Sequence, residues 1–105
     1  MITKIKAIIR KEHEMENRSF VMYSERYAYL GGELRDGILK LESEVYGGDD
    51  FYDSEGHYTL SKESTEKLLS LISLDDFIAL GKKEHLDGVL GFLIDNKIDY
   101  DCIVI

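Results

Sequence analysis

The chain has 105 residues, 44% of them apolar, with 21 acidic against 13 basic side chains and a formal net charge of −8. Such a length suits one domain, and no apolar run is long enough to cross a bilayer or to act as a signal region after Met1, so the expected setting is cytoplasmic, with no membrane contact. The charge argues against nucleic acid, whose phosphates are held by Lys and Arg, and the single cysteine, Cys102, excludes an internal disulfide or a multi-thiolate zinc site.

In chain order, residues 2–9 alternate as a half-buried strand, with Ile5, Ala7 and Ile9 on one face and Lys4 and Lys6 on the other. The basic group Lys4, Lys6, Arg10 and Lys11 runs directly into Glu12, Glu14 and Glu16, which makes it a solvated strand edge. A second strand starts near Ser19 and carries Phe20, Val21, Met22 and Tyr23, and its phase shift over residues 24–26 marks a bulge or a break into two strands. Asp36-Gly37 is the strongest local signal, a dipeptide that accepts the positive φ angles of a type I′ hairpin turn. It predicts a register with Arg35 opposite Ile38, Leu34 opposite Leu39, Glu33 opposite Lys40, Leu30 opposite Ser43 and Ala28 opposite Val45. One face then collects Ala28, Leu30, Leu34, Leu39, Leu41 and Val45 as core, and the other Tyr27, Tyr29, Tyr46, Glu42 and Glu44.

Beyond Gly47-Gly48 the sequence predicts an acidic loop over residues 49–56, then a short strand over residues 57–60. Ser61 is the expected N-cap of a helix with Leu68, Leu69 and Ile72 as its buried stripe. Ser73-Leu74-Asp75-Asp76 reads as a second helix start that carries Leu74, Phe77 and Ile78, with Gly81 as its stop. A third helix over residues 83–95 places Leu86, Val89, Leu90, Leu93 and Ile94 on one stripe, to be buried against the sheet. Gly88 and Gly91 fall on its far side, an exposed face or a place for close approach by another chain, and Asn96 is the expected left-handed cap. Residues 98–105 read as an inner strand that buries Cys102 as an inert thiol.

Chemical motifs are sparse. With Gly56 in the glycine position of an EF-hand, Asp53 and Glu55 fall on ligand positions, but the first ligand would be Phe51 and the twelfth Lys62, so the pattern fails. Asp49, Asp50, Asp53, Glu55 and His57 leave a looser cation site or an ordinary solvated loop as readings. His57 with Glu55 or Asp53 offers an acid–base pair to a small metal-dependent or hydrolytic enzyme, though the sequence supplies no nucleophile elbow and no phosphate loop. Gly31-Gly32 and Gly47-Gly48 are expected at turns or bulges. His13, His57 and His85 lie in separate segments with no zinc signature, and no catalytic residue, metal site or cofactor is assigned.

Tyrosine is over-supplied at seven residues with no tryptophan, and Tyr27, Tyr29, Tyr46, Tyr52 and Tyr58 gather around the hairpin and acidic loop. Such rings either straddle core and water or form a recognition face. In the second reading Tyr27, Tyr29, Tyr46, Glu42, Glu44 and Asp50 are the binding residues.

The stretch over residues 57–85, which begins His-Tyr-Thr-Leu-Ser-Lys-Glu-Ser-Thr-Glu-Lys-Leu-Leu-Ser-Leu-Ile-Ser-Leu-Asp-Asp-Phe-Ile, resembles small uncharacterised proteins of low-GC Gram-positive bacteria, some associated with mobile elements. The resemblance implies a bacterial origin and no known activity. The fold expected from the periodicities is α+β, an antiparallel-rich sheet of four or five strands with two or three helices on one face and the C-terminal strand beside the N-terminal one. The expected function is a non-enzymatic, acidic protein-binding module of inhibitor, immunity or regulatory type, whose partner presents a basic surface. A structural or self-assembling role, as a homo-oligomer, is the other non-enzymatic reading.

Overall fold

In a computed structural model, which describes residues 16–46 and 53–105, Asp36 and Gly37 have φ angles of 53° and 79°. Two successive left-handed residues make the type I′ turn, which matches the twist of the strands it joins. The register beyond it is the one the turn dictates, with Glu33 opposite Lys40 and Ala28 opposite Val45. The turn joins β2 (Ala28–Arg35) to β3 (Ile38–Val45). On one side lies β1 (Arg18–Ser24), and on the other β4 (Ser54–Leu60) and β5 (Asp101–Val104), in an antiparallel five-stranded sheet of order β1-β2-β3-β4-β5. The phase shift in β1 has two sources. A bulge lies between Val21 and Tyr23, and the strand then ends, with Glu25 and Ala28 exchanging backbone hydrogen bonds across the turn into β2.

Two helices connect β4 to β5: α1 (Lys62–Leu71) and α2 (Leu74–Asp95). Ser61 and Ser73 cap them as expected, each hydroxyl accepting from a backbone N–H three residues on, at 3.1 Å. Both helices lie on the sheet face that carries Leu30, Leu34, Leu39, Leu41, Tyr58 and Leu60, and with Leu68, Phe77, Val89, Leu93 and Ile98 these residues form the core. Leu69 and Ile72 pack against that core only partly buried. None of the helices among the described residues is long and apolar enough to cross a membrane.

Thr65 was invisible to the hydrophobic pattern yet is fully buried on α1. Its Oγ1 accepts from the Leu39 backbone N–H at 3.1 Å and donates to the Leu60 carbonyl at 3.4 Å, which ties the helix to two paired strands. Thr65→Val keeps the shape and strands a buried N–H, so it is expected to lower unfolding free energy by about 1–3 kcal/mol in a urea titration, with unchanged slope.

Several expectations are corrected. Gly81 stops nothing: it is buried within α2, where the helix backbone comes down on Met22 of β1. The break between helical segments falls instead at His85, with φ 61° and ψ −162°, a region that L side chains enter only under strain of about 1–3 kcal/mol. Its ring stacks on Tyr23 with centroids 4.4 Å apart, and its Nε2 lies 3.9 Å from Glu25 Oε1. The left-handed residue that ends α2 is Lys97 (φ 56°), not Asn96. Lys97 N–H donates to Ile94 O and Ile98 N–H to Leu93 O, the two bonds of a Schellman motif, with Ile98 buried behind it.

Val89 and Leu93 are buried, and Leu86 and Leu90 pack partly buried beside them, but Ile94 is turned outward and 62% exposed. Val45 is also half exposed, because it sits at the end of β3 beyond the reach of the helices. Gly31 and Gly32 lie mid-strand: a Cβ on Gly31 would stand 2.8 Å from the Tyr29 ring, and one on Gly32 2.9 Å from Phe20 Cζ. Close approach, not a turn, requires these glycines: the Tyr29 ring over Gly31, and the Lys40 carbonyl with Leu41 and Phe20 over Gly32.

Among the described residues the C-terminal strand has a neighbour on one side alone, and its side chains are not the buried ones expected. β5 pairs with β4 and forms an edge among the described residues, at the opposite side of the sheet from β1, with Cys102, Ile103, Val104 and Ile105 all exposed. The expected strand over residues 2–9 and the basic group beside it lie outside the described residues.

Candidate functional site on the open face of the sheet

Because side chains alternate along strands, the register that buries Leu34, Leu39 and Leu60 fixes what the opposite face carries. Three transverse rows result. The first runs Ser19, Glu33, Lys40, Thr59, Asp101; the second Val21, Gly31, Glu42, His57, Ile103; the third Ser24, Tyr29, Glu44, Glu55. The middle row has a carboxylate and an imidazole at its centre and an exposed aliphatic side chain at each end, Val21 at 48% and Ile103 at 63%.

The Tyr29 ring lies over Gly31, in the row that holds Glu42. Val21, Tyr29, Glu33, Lys40, Glu42 and His57 line an open groove of ≈ 630 Å³ on this face.

Five of the six binding residues expected from sequence come together here. Tyr29, Glu42 and Glu44 stand on the rows, while Tyr27 and Tyr46, joined by a backbone bond of 2.9 Å, extend the face past the strand ends. Tyr27 and Tyr46 are exposed, and the Arg26 guanidinium stands 5.4 Å from the Tyr27 ring centre. Tyr46 donates its hydroxyl hydrogen bond to the Glu44 carboxylate, and that bond, with a lesser contribution from desolvation, raises the phenol pKa above its ordinary value. The sixth residue, Asp50, lies outside the described residues, as do Asp49 and Tyr52. Tyr58 does not belong to the cluster: it is buried on the helix-covered face, edge-on to Tyr100 at 6.1 Å between centroids.

The acidic loop is shorter than expected because β4 begins at Ser54. Its Ser-Glu-Gly start has no strand propensity of its own, and pairing with β3 overrides that, with Glu44 opposite Glu55 and Ser43 opposite Gly56. The absent side chain at Gly56 leaves room for Tyr58, whose hydroxyl lies over it. As a result Glu55 and His57 project from a paired strand onto the open face, with His57 Nε2 3.2 Å from Glu55 Oε2. Asp53 precedes the strand and is exposed.

Glu42, directly opposite His57, is the residue that the sequence could not place with them. The Glu42 carboxyl pKa is raised, chiefly by its hydrogen bond with Glu55 and then by desolvation. The Glu55 pKa is lowered, chiefly by the hydrogen bond from His57 and then by the one from Glu42. The arrangement therefore sets two carboxyl groups and an imidazole within mutual hydrogen-bonding reach, with the Glu42 and Glu55 pKa values pushed in opposite directions. No protein-family model, curated protein or solved structure matches the chain.

Proposed function

We propose that this chain is a non-enzymatic protein-binding module whose partner lays a basic surface on the open face of the sheet. The observation that supports the reading is the division of the sheet. Both helices lie on one face, while the other sets Tyr27, Tyr29, Tyr46 and Val21 among Glu33, Glu42, Glu44 and Glu55. Carboxylates around a patch of rings steer encounter with a basic partner, and the rings supply the contact that persists. A net charge of −8 extends the same attraction beyond the contact itself. An inhibitor, immunity-type or regulatory role would each be served by such a surface.

Affinity capture followed by kinetics on the captured partner tests the reading. The pair Glu42→Lys and Glu44→Lys is expected to slow association by roughly tenfold or more and to flatten its salt dependence. Tyr29→Ala is expected mainly to speed dissociation, with the fold retained in both variants. A Tyr29→Ala protein that melts several degrees lower and binds unchanged would make the tyrosines a second layer of core instead.

Self-assembly has one observation in its favour, the exposed edge over Ile103 and Val104. A doubled mass in solution that Val104→Lys abolishes would shift the reading to a homo-oligomer.

A further inference from the structure

Glu42, Glu55 and His57 each bring one ligand atom to a common point, all within 4.8 Å of one another. We propose that these three side chains form a binding site for a first-row transition dication of the zinc class. The inference stands on the geometry of the open face and does not need a protein partner.

The donor set makes the choice of ion. One imidazole nitrogen and two carboxylate oxygens suit Zn²⁺ and its neighbours, whereas Ca²⁺ takes six to eight oxygens and Mg²⁺ favours carboxylates, phosphates and water. Placement makes it a site rather than a solvated acidic loop. Glu42 and His57 are directly opposed on β3 and β4, and Glu55 is two residues from His57 on the same face, so strand pairing fixes all three Cα positions before any ion arrives.

Charge points the same way. Two carboxylates converge on one imidazole, with Glu44 adding to their negative field and Lys40 the other cation along the same groove, while among the described residues the arginine ion pairs lie elsewhere, Arg18 with Asp75 and Arg35 with Glu33. A dication supplies the positive charge that the cluster lacks. The His57 and Glu55 side chains are 40% and 37% exposed, which leaves an ion a path in, and three protein ligands leave a coordination position for water or an outside ligand.

The test uses the untagged chain at neutral pH with zinc chloride as the probe, followed by calorimetry and thermal melting. One equivalent of Zn²⁺ is expected to bind, and at a hundredfold excess over its dissociation constant to raise the melting temperature by about 10 °C. Equal concentrations of Mg²⁺ or Ca²⁺ are expected to shift it far less. His57→Ala and Glu42→Gln should each weaken zinc roughly tenfold or more, while Cys102→Ser and His85→Ala leave it unchanged.

In the wild type the His57 Hε1 resonance should move with zinc, which keeps the proposal testable if a variant fails to fold. Zinc binding that survives His57→Ala, that vanishes with Cys102→Ser, or that is absent from the wild type overturns the site. A protein that holds zinc without a partner, or a partner without zinc, separates this inference from the docking reading.

Discussion

Phe77→Ala is expected to lower unfolding free energy by about 3–5 kcal/mol, a large share of what a domain of this size has. Phe77 is the largest of the fully buried side chains, and its ring meets Phe92 edge-on at 6.5 Å between centroids, so truncation removes both transfer energy and an aromatic contact. It lies in the first segment of α2, the helix that comes down on β1 through Gly81 and Met22. The cavity would therefore open between helix and sheet.

The companion substitution Ile94→Ala, on the same helix but 62% exposed, is expected to stay within about 0.5 kcal/mol. Chemical denaturation of the two variants beside the wild type checks both. Equal losses at the two positions would mean that α2 is rotated about its axis relative to the sheet.

That comparison also marks where the sequence was legible. Local rules carried the hairpin: Asp36-Gly37 demands one turn type, the turn sets the register, and alternation then assigns Leu30, Leu34, Leu39 and Leu41 to the core and Tyr29, Glu42 and Glu44 to the other face. Ser61 and Ser73 were equally readable, because a cap acts within three residues.

What depended on partners distant in the chain was not readable. Ile94 fits the stripe on paper, but it stands at the stripe's edge in the last turn, which closes in a Schellman motif, and there Val89 and Leu93 stay buried while Ile94 faces outward. Ser54, Glu55 and Gly56 become a strand because β3 pairs with them on one side and the end of the chain, through Val104 and Ile105, pairs with Glu55 and Gly56 on the other. The same pairing brings Glu42 to Glu55 and His57, across a connection that includes residues 47–52, so neither the linear order nor the composition of the acidic segment indicated the trio. The face was legible from alternation, but the meeting of Glu42 with Glu55 and His57 on it was not.

The helix glycines offer the sharpest contrast, because one substitution is expected to have opposite signs at two places on α2. Gly91→Ala should stabilise the protein by about 1 kcal/mol: no heavy atom lies within 4 Å of the added Cβ, and Ala gains the helix propensity that Gly lacks. Gly81→Ala gains the same propensity and should nonetheless destabilise by about 1–3 kcal/mol, since its Cβ would stand 2.7 Å from Met22 Cγ and 3.0 Å from Met22 Cβ. Met22 cannot swing clear cheaply, because it is 2% exposed and follows Val21 within the β1 bulge. The bulge and the glycine meet at one point: Met22, the extra residue of β1, faces the helix as Phe20 does, and the missing side chain on the helix receives it. A double-mutant cycle isolates that contact. In a Met22→Ala background the Gly81→Ala penalty should vanish and the propensity gain of about 1 kcal/mol should remain, so the two substitutions together should cost less than Met22→Ala alone. If Gly81→Ala stabilises the wild type as Gly91→Ala does, helix and bulge are not in close contact, and the account of how α2 seats on the sheet is wrong.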